Sequence, residues 1–157
     1  MKVEFWSVGN TSFSYLKDGV GIYEKRLKHY IPFKMEVIAD IKNAKKMTQK
    51  QVKTKEGEQI LKRLDKGDHL ILLDERGKSY SSVQFASFMD QQLQQSYKKI
   101  IFLIGGAYGF SDAVYQRSNG KISLSKMTFS HQMVRLFFIE QLYRAMTILR
   151  NEPYHHE

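Results

Sequence analysis

No cysteine occurs among the 157 residues. Its absence removes disulfides, thiolate zinc sites, iron–sulfur clusters and any cysteine nucleophile. Proline is nearly as scarce, with two residues, and no Pro-rich or Gly/Ser-rich linker interrupts the chain. Residues 1–157 are therefore expected to form a single domain. Long apolar runs are missing as well. The strongest, such as Ile100 to Ile104, fall far short of a bilayer-spanning length. The opening Met1-Lys2-Val3-Glu4-Phe5-Trp6 is too short and too charged for a signal peptide. A cytoplasmic location with no membrane contact is the expectation. No Ser–His–Asp arrangement stands out and no spacing suggests a metal site, so no metal is expected.

What the chain does have is positive charge. The formal net charge is +9, and residues 42–66 carry much of it, with nine basic residues against Glu56, Glu58 and Asp65. A balance that basic in so short a chain favours a polyanionic partner, because Lys and Arg at phosphates release condensed counterions. The plainer reading of most of these lysines is a solvated helix and loop.

Strand and helix patterns alternate along the sequence. Strands are predicted at residues 2–8, 35–41, 69–74, 99–104 and 121–125. Helices are predicted at 13–30, in the second half of 42–66, and at 82–96, 111–118 and 130–151, the last capped by Ser130. Two strands, HLILLD and KIIFLI, are apolar throughout, as strands of a covered parallel sheet are. The final helix carries two apolar stripes, one of Val134, Phe138, Leu142, Ala145 and Leu149, the other of Leu136, Ile139, Tyr143 and Met146. Such a helix is either central in its own domain or shared with a partner, and a symmetric dimer is the expectation.

Ligands of open α/β sheets sit at the carboxyl ends of strands. Three predicted strand ends matter here: Leu73-Asp74, the turn Gly105-Gly106-Ala107-Tyr108-Gly109, and the stretch from Leu124 to Phe129. In a parallel sheet all three fall on one edge and converge on one pocket. The glycine spacing is neither a dinucleotide fingerprint nor a P-loop. Glu140 and Arg144 stand at i,i+4, as in a helical ion pair, and Arg135 reads as a solvated cation or a phosphate contact.

Taken together the motifs resemble the ribosomal RNA large subunit methyltransferase H family of the SPOUT superfamily. The residues that carry the resemblance span the chain: Val8-Gly9, Tyr23-Glu24-Lys25-Arg26-Leu27, Lys55-Glu56-Gly57, Leu73-Asp74 with Gly77-Lys78, and Ile104-Gly105-Gly106 with Gly109. Most specific are Ser123-Leu124-Ser125-Lys126-Met127-Thr128-Phe129, then His131, Arg135 and Glu140-Gln141-Leu142-Tyr143-Arg144-Ala145, and finally Pro153-Tyr154-His155. Two departures stand out: Ala107-Tyr108 inside the glycine turn, and His156, where relatives are often basic.

The resemblance implies an α/β parallel-sheet fold with a C-terminal trefoil knot. It implies a homodimer that uses S-adenosylmethionine to methylate N3 of a pseudouridine in 23S ribosomal RNA on the assembled ribosome. Cofactor contacts carry over to Leu73, Gly105, Leu124, Ser125, Lys126, Met127, Thr128 and Phe129. Arg144, Tyr154 and His155 match positions at the substrate end. His155 is the candidate general base, Tyr154 shapes the base pocket, and Arg144 stabilises charge on a uracil carbonyl. The lack of cysteine fits transfer to nitrogen or oxygen rather than to C5 of a pyrimidine. Rival readings are a ribosome-associated binding protein without catalysis and a nucleotide-dependent oxidoreductase, against which the missing glycine fingerprint argues.

Overall fold

Every strand of the sheet runs the same way. In the computed structural model, which describes residues 1–156, β1 (Lys2–Val8), β2 (Phe33–Ile38), β3 (His69–Ser79), β4 (Lys99–Ile104) and β5 (Gly120–Ser123) stand in the order β2-β1-β4-β3-β5. Glu157, the last residue of the expected domain, lies outside the described residues. Helices α1 (Ser14–Leu27), α2 (Gln49–Arg63), α3 (Ser82–Leu93), α4 (Asp112–Arg117) and α5 (Met133–Leu149) fill the connections.

Parallel strands need covering on both faces, and the residues divide accordingly. Ile100, Phe102 and Ile104 of β4 pack with Phe5 under α1, α3 and α5. Ile101 and Leu103 pack with Trp6, Leu70 and Leu72 under α2 and α4. Each such buried side chain stabilises the fold by roughly 1.5–3 kcal/mol relative to exposure. The α2 and α3 starts are set locally by capping boxes, Thr48 with Gln51 and Ser81 with Gln84.

Three elements differ from expectation. Strand β2 begins at Phe33 rather than Met35 and ends at Ile38, because the carbonyl of Pro32 already accepts from Val3 N at 2.9 Å and fixes the register beside β1. Strand β3 does not stop at Asp74. Leu73 and Lys78 both pair with Ile122, so residues 74–77 bulge out and the strand resumes to Ser79. Helix α5 starts at Met133, although the Ser130 hydroxyl still accepts from Met133 N at 3.1 Å.

The two stripes of α5 are largely explained within one chain. The helix lies between α1 and α3, with Phe138, Ile139, Leu142, Ala145 and Met146 buried. Phe138 sits 4.8 Å from Phe5 and 4.9 Å from Phe102, ring centre to ring centre. Phe137 alone of its large apolar residues is exposed.

Arg135 is neither solvated nor placed to meet phosphate. It is fully buried, and its guanidinium donates to Val8 O at 2.9 Å, Gly9 O at 2.8 Å and, through Nε, His131 O at 3.2 Å. Burial pulls its pKa down, against a supporting field from Asp40. It ties the end of β1 to the start of α5.

Candidate active site

The carboxyl ends of β3, β4 and β5 open into one cleft of about 670 Å³. Its walls include the β3 bulge from Leu73 to Arg76, the turn from Gly105 to Phe110, and residues 122–131 apart from Lys126. Convergence of the three strand ends was legible in the sequence. Gln49, Lys53 and Tyr115, which also border the cleft, were not.

The glycine turn is shaped by close approach. Gly109 N donates to Gly106 O at 3.2 Å, and Gly109 has a φ of +83°, which a side chain resists. A Cβ on Gly106 would lie 2.7 Å from a Glu56 oxygen, so any side chain there would have to push the Glu56 carboxyl group aside. The facing bulge is held by its own bonds. Asp74 Oδ1 accepts from Arg76 N at 2.8 Å, and Asp74 Oδ2 accepts from the Tyr115 hydroxyl. Burial and the Asp74 carboxylate push the Tyr115 pKa up to about 12, so the phenol keeps its proton. Across the opening, Thr128 donates to Glu75 at 3.1 Å.

Residues 124–129 fold over themselves. Ser123 Oγ donates to Ser125 O at 2.9 Å, and Met127 N donates to Ser125 Oγ at 2.9 Å. Leu73, Gly105, Leu124, Ser125, Met127, Thr128 and Phe129 all border the cleft. Lys126 is exposed and does not. His131 lines the rear, and burial followed by the nearby Arg135 charge lowers its pKa.

Arg144, Tyr154 and His155 form a separate group. Arg144 donates to Glu140 at 2.5 Å, Tyr154 OH donates to the same Glu140 oxygen at 2.9 Å, and Arg144 Nη1 meets His155 Nδ1 at 3.2 Å. The guanidinium also lies 4.7 Å above the Tyr154 ring. Burial, then the hydroxyl of Tyr23 at 3.3 Å and Glu140, holds the Tyr154 pKa well above the usual phenol range. None of the three borders the large cleft. Glu140 borders a second cavity of about 440 Å³, which shares Ile122, Ser123, Leu124, Ser125 and Phe129 with the first. The structure brings the three tail-end residues together but not, within one chain, to the cleft.

A family model described as "Predicted SPOUT methyltransferase" matches residues 1–155. A ribosomal RNA large subunit methyltransferase H of Parabacteroides distasonis is 56% identical over 157 residues, covering all of both chains. One from Flavobacterium psychrophilum is 54% identical with the same coverage. The chain belongs to the ribosomal RNA large subunit methyltransferase H family of SPOUT methyltransferases. A solved probable methylase family protein from Haemophilus influenzae Rd KW20 shares the fold at 13% identity, with a TM-score of 0.53 over 99% of this chain and 70% of that one. Membership in this family settles the choice against the oxidoreductase reading. It also gives the cleft a chemistry to be tested against: a methyltransferase site must hold a methyl donor beside a nucleophile.

Proposed function

We propose that the chain transfers a methyl group from S-adenosylmethionine to N3 of a pseudouridine in large-subunit (23S) ribosomal RNA, acting in the cytoplasm on the assembled ribosome as a homodimer of one domain, residues 1–157. The observation that carries the reading is full-length identity above half with proteins named ribosomal RNA large subunit methyltransferase H, in a chain whose three converging strand ends open into one cleft. The trefoil knot belongs to the same reading. Its support is the path of the chain, which leaves edge strand β5, crosses the cleft and returns as α5 against the sheet centre.

The residues suit the donor. The cleft volume falls in the usual range for small ligands, roughly 300–1,000 Å³, and it joins apolar walls to a glycine turn and the Asp74 carboxylate. Leu73, Gly105, Leu124, Ser125, Met127, Thr128 and Phe129 would hold it by side chain or backbone, with Lys126 contributing only through the loop it belongs to. When bound, the donor supplies a methyl group already activated on a sulfonium.

Placing the acceptor nitrogen in line then accounts for much of the rate. Arg144 would stabilise negative charge on a uracil carbonyl, and Tyr154 would shape the base pocket. His155 would take the N3 proton. A guanidinium can only donate, so His155 Nδ1 accepts from Arg144 and the ring proton rests on Nε2. His155 acts as a base only once Arg144 turns from Nδ1 to the substrate. Because these residues lie off the cleft in their own chain, the homodimer reading has one protomer's tail complete the partner's site. Phe129 and Phe137, 39% and 37% exposed and 4.9 Å apart, are the apolar surface that supports it. Exposed lysines at 42, 45, 46 and 50, with Lys53 at the cleft, would meet rRNA phosphate.

Radiolabelled methyl transfer to ribosomes tests the assignment. His155→Ala should lower turnover about 100-fold while leaving donor affinity, read by calorimetry, unchanged. Wild-type turnover in that variant removes His155 as the base, and absence of donor binding by folded wild-type protein refutes the methyltransferase reading.

A further inference from the structure

The Lys55-Glu56-Gly57 motif has no part in the reaction just described, yet it presses on the donor cleft. Glu56 is only 7% exposed. Among the described residues no hydrogen bond or ion pair reaches its carboxyl group. Its two oxygens lie 2.7 and 3.1 Å from where a Cβ of Gly106 would be, so they back directly onto the glycine turn. One residue on, a Cβ at Gly57 would meet Ser111 Oγ at 2.4 Å, so α2 is seated hard against the residues that follow the turn. A mostly buried acid with neither a donor nor a cation beside its carboxyl group is disfavoured as an anion, and such groups gather at functional sites.

We propose that Glu56 is the residue by which this site distinguishes its cationic methyl donor from the neutral thioether left after transfer. The inference rests on the donor-cleft reading above. In the reaction the S–CH3 bond breaks, the N–CH3 bond forms and the N3 proton departs, so the sulfonium charge disappears. An anion behind the turn favours the charged sulfur before the reaction and loses that attraction afterwards. It holds the donor and helps release the product.

The charged surroundings make Glu56 responsive. Burial, reinforced by the negative charge of Asp40 from the segment after β2, pushes its pKa up to about 7. Asp40 also acts on His131 and on Arg135 of α5. Lys53, one turn earlier on α2, borders the same cleft, and the residues after the turn present the neutral Ser111. A cation arriving on the other side of Gly106 pulls Glu56 toward its charged form, so donor binding releases a proton near neutral pH and thioether binding does not.

Calorimetric affinities of S-adenosylmethionine and S-adenosylhomocysteine, measured from pH 5.5 to 7.5 in buffers of different ionisation enthalpy, test this. In the wild type the preference for donor over thioether should rise about tenfold across that range, with proton release seen for the donor alone. In Glu56→Gln, which keeps the shape, the preference should be flat and the proton release absent; Glu56→Asp should restore part of the slope. An equal slope in wild type and Glu56→Gln overturns the proposal while leaving the donor site standing. Equal loss of both ligands in a folded Glu56→Gln protein also overturns it, by making the residue a brace. Binding of neither ligand by the wild type refutes the donor-cleft reading itself.

Discussion

Replacing Arg135 by Met should cost the fold about 3 kcal/mol. The guanidinium supplies charged donors to Val8 O and Gly9 O at the end of β1, where the sheet ladder runs out, and to His131 O. Two buried carbonyls left without these donors lose roughly 1.5–3 kcal/mol each. Against this, Met removes a buried cation whose charged form is disfavoured by its surroundings, a relief of about 1–2 kcal/mol. Met fills most of the space, so little cavity cost is added. Urea unfolding at one fixed protomer concentration measures the difference, because a dimer's stability depends on concentration. The midpoint should fall with an unchanged slope. Gly9 begins the loop whose Ser12 N donates to Gln132 at 2.8 Å, so amides of residues 9–13 should exchange faster in the variant. A loss below about 1 kcal/mol would show that water or rearranged backbone satisfies these carbonyls, and Arg135 would then not be the tie between β1 and α5.

Glu56→Gln should be more stable than wild type at pH 8 by about 1–2 kcal/mol, after allowance for partial solvation, and equal to it near pH 4.5. The folded-state pKa is raised above the ordinary value, so the native state holds its proton more tightly and stability is lost as pH climbs from 4.5 through about 7; thermal melts at the two pH values decide. Gly77→Ala should destabilise by about 3 kcal/mol, since a Cβ would lie 2.6 Å from the backbone of Lys121 and Ile122, which cannot move aside without unpairing β5; a melting temperature within a degree of wild type would refute the contact. Tyr115→Phe removes the donor to Asp74 and should weaken S-adenosylmethionine about fivefold, with no change expected in folding; unchanged affinity would mean that Asp74 does not touch the donor. Activity on ribosomes should fall steeply with added salt while donor affinity stays level, and salt-independent turnover would remove the lysine-rich segment from rRNA recognition.

Strands β1 and β4 were legible to the residue: in β4 burial on both faces leaves an unbroken apolar run, a signal local to the strand, whereas β1 carries buried Glu4 and Ser7 and was bounded by the Gly9-Asn10 turn that closes it. The bulge at 74–77 was not, because register is decided by the partner. Nothing near Leu73 says that Ile122 will pair twice. The convergence of Leu73, Gly105 and residues 124–129 followed from parallel topology alone, whereas the tail group did not. Glu140 and Arg144 announce themselves by helical spacing, but Tyr23 and Tyr154 join them across 131 residues.

Arg135 and Glu56 show the common cause of the misreadings. A charge near a helix start, or inside a basic stretch, reads as solvated because burying it is costly and therefore rare. In the sequence Glu56 merely offsets a run of lysines. Its depth is set by glycines at 57 and 106, residues 49 positions apart that let α2 and the turn approach closely. Small residues transmit no pattern of their own, so the carboxyl they enclose becomes visible only when both are placed. An acid at that depth, backing onto the turn that opens the cleft, is costly to keep as an anion, and the proposed discrimination of a charged donor from an uncharged product is what would offset that cost.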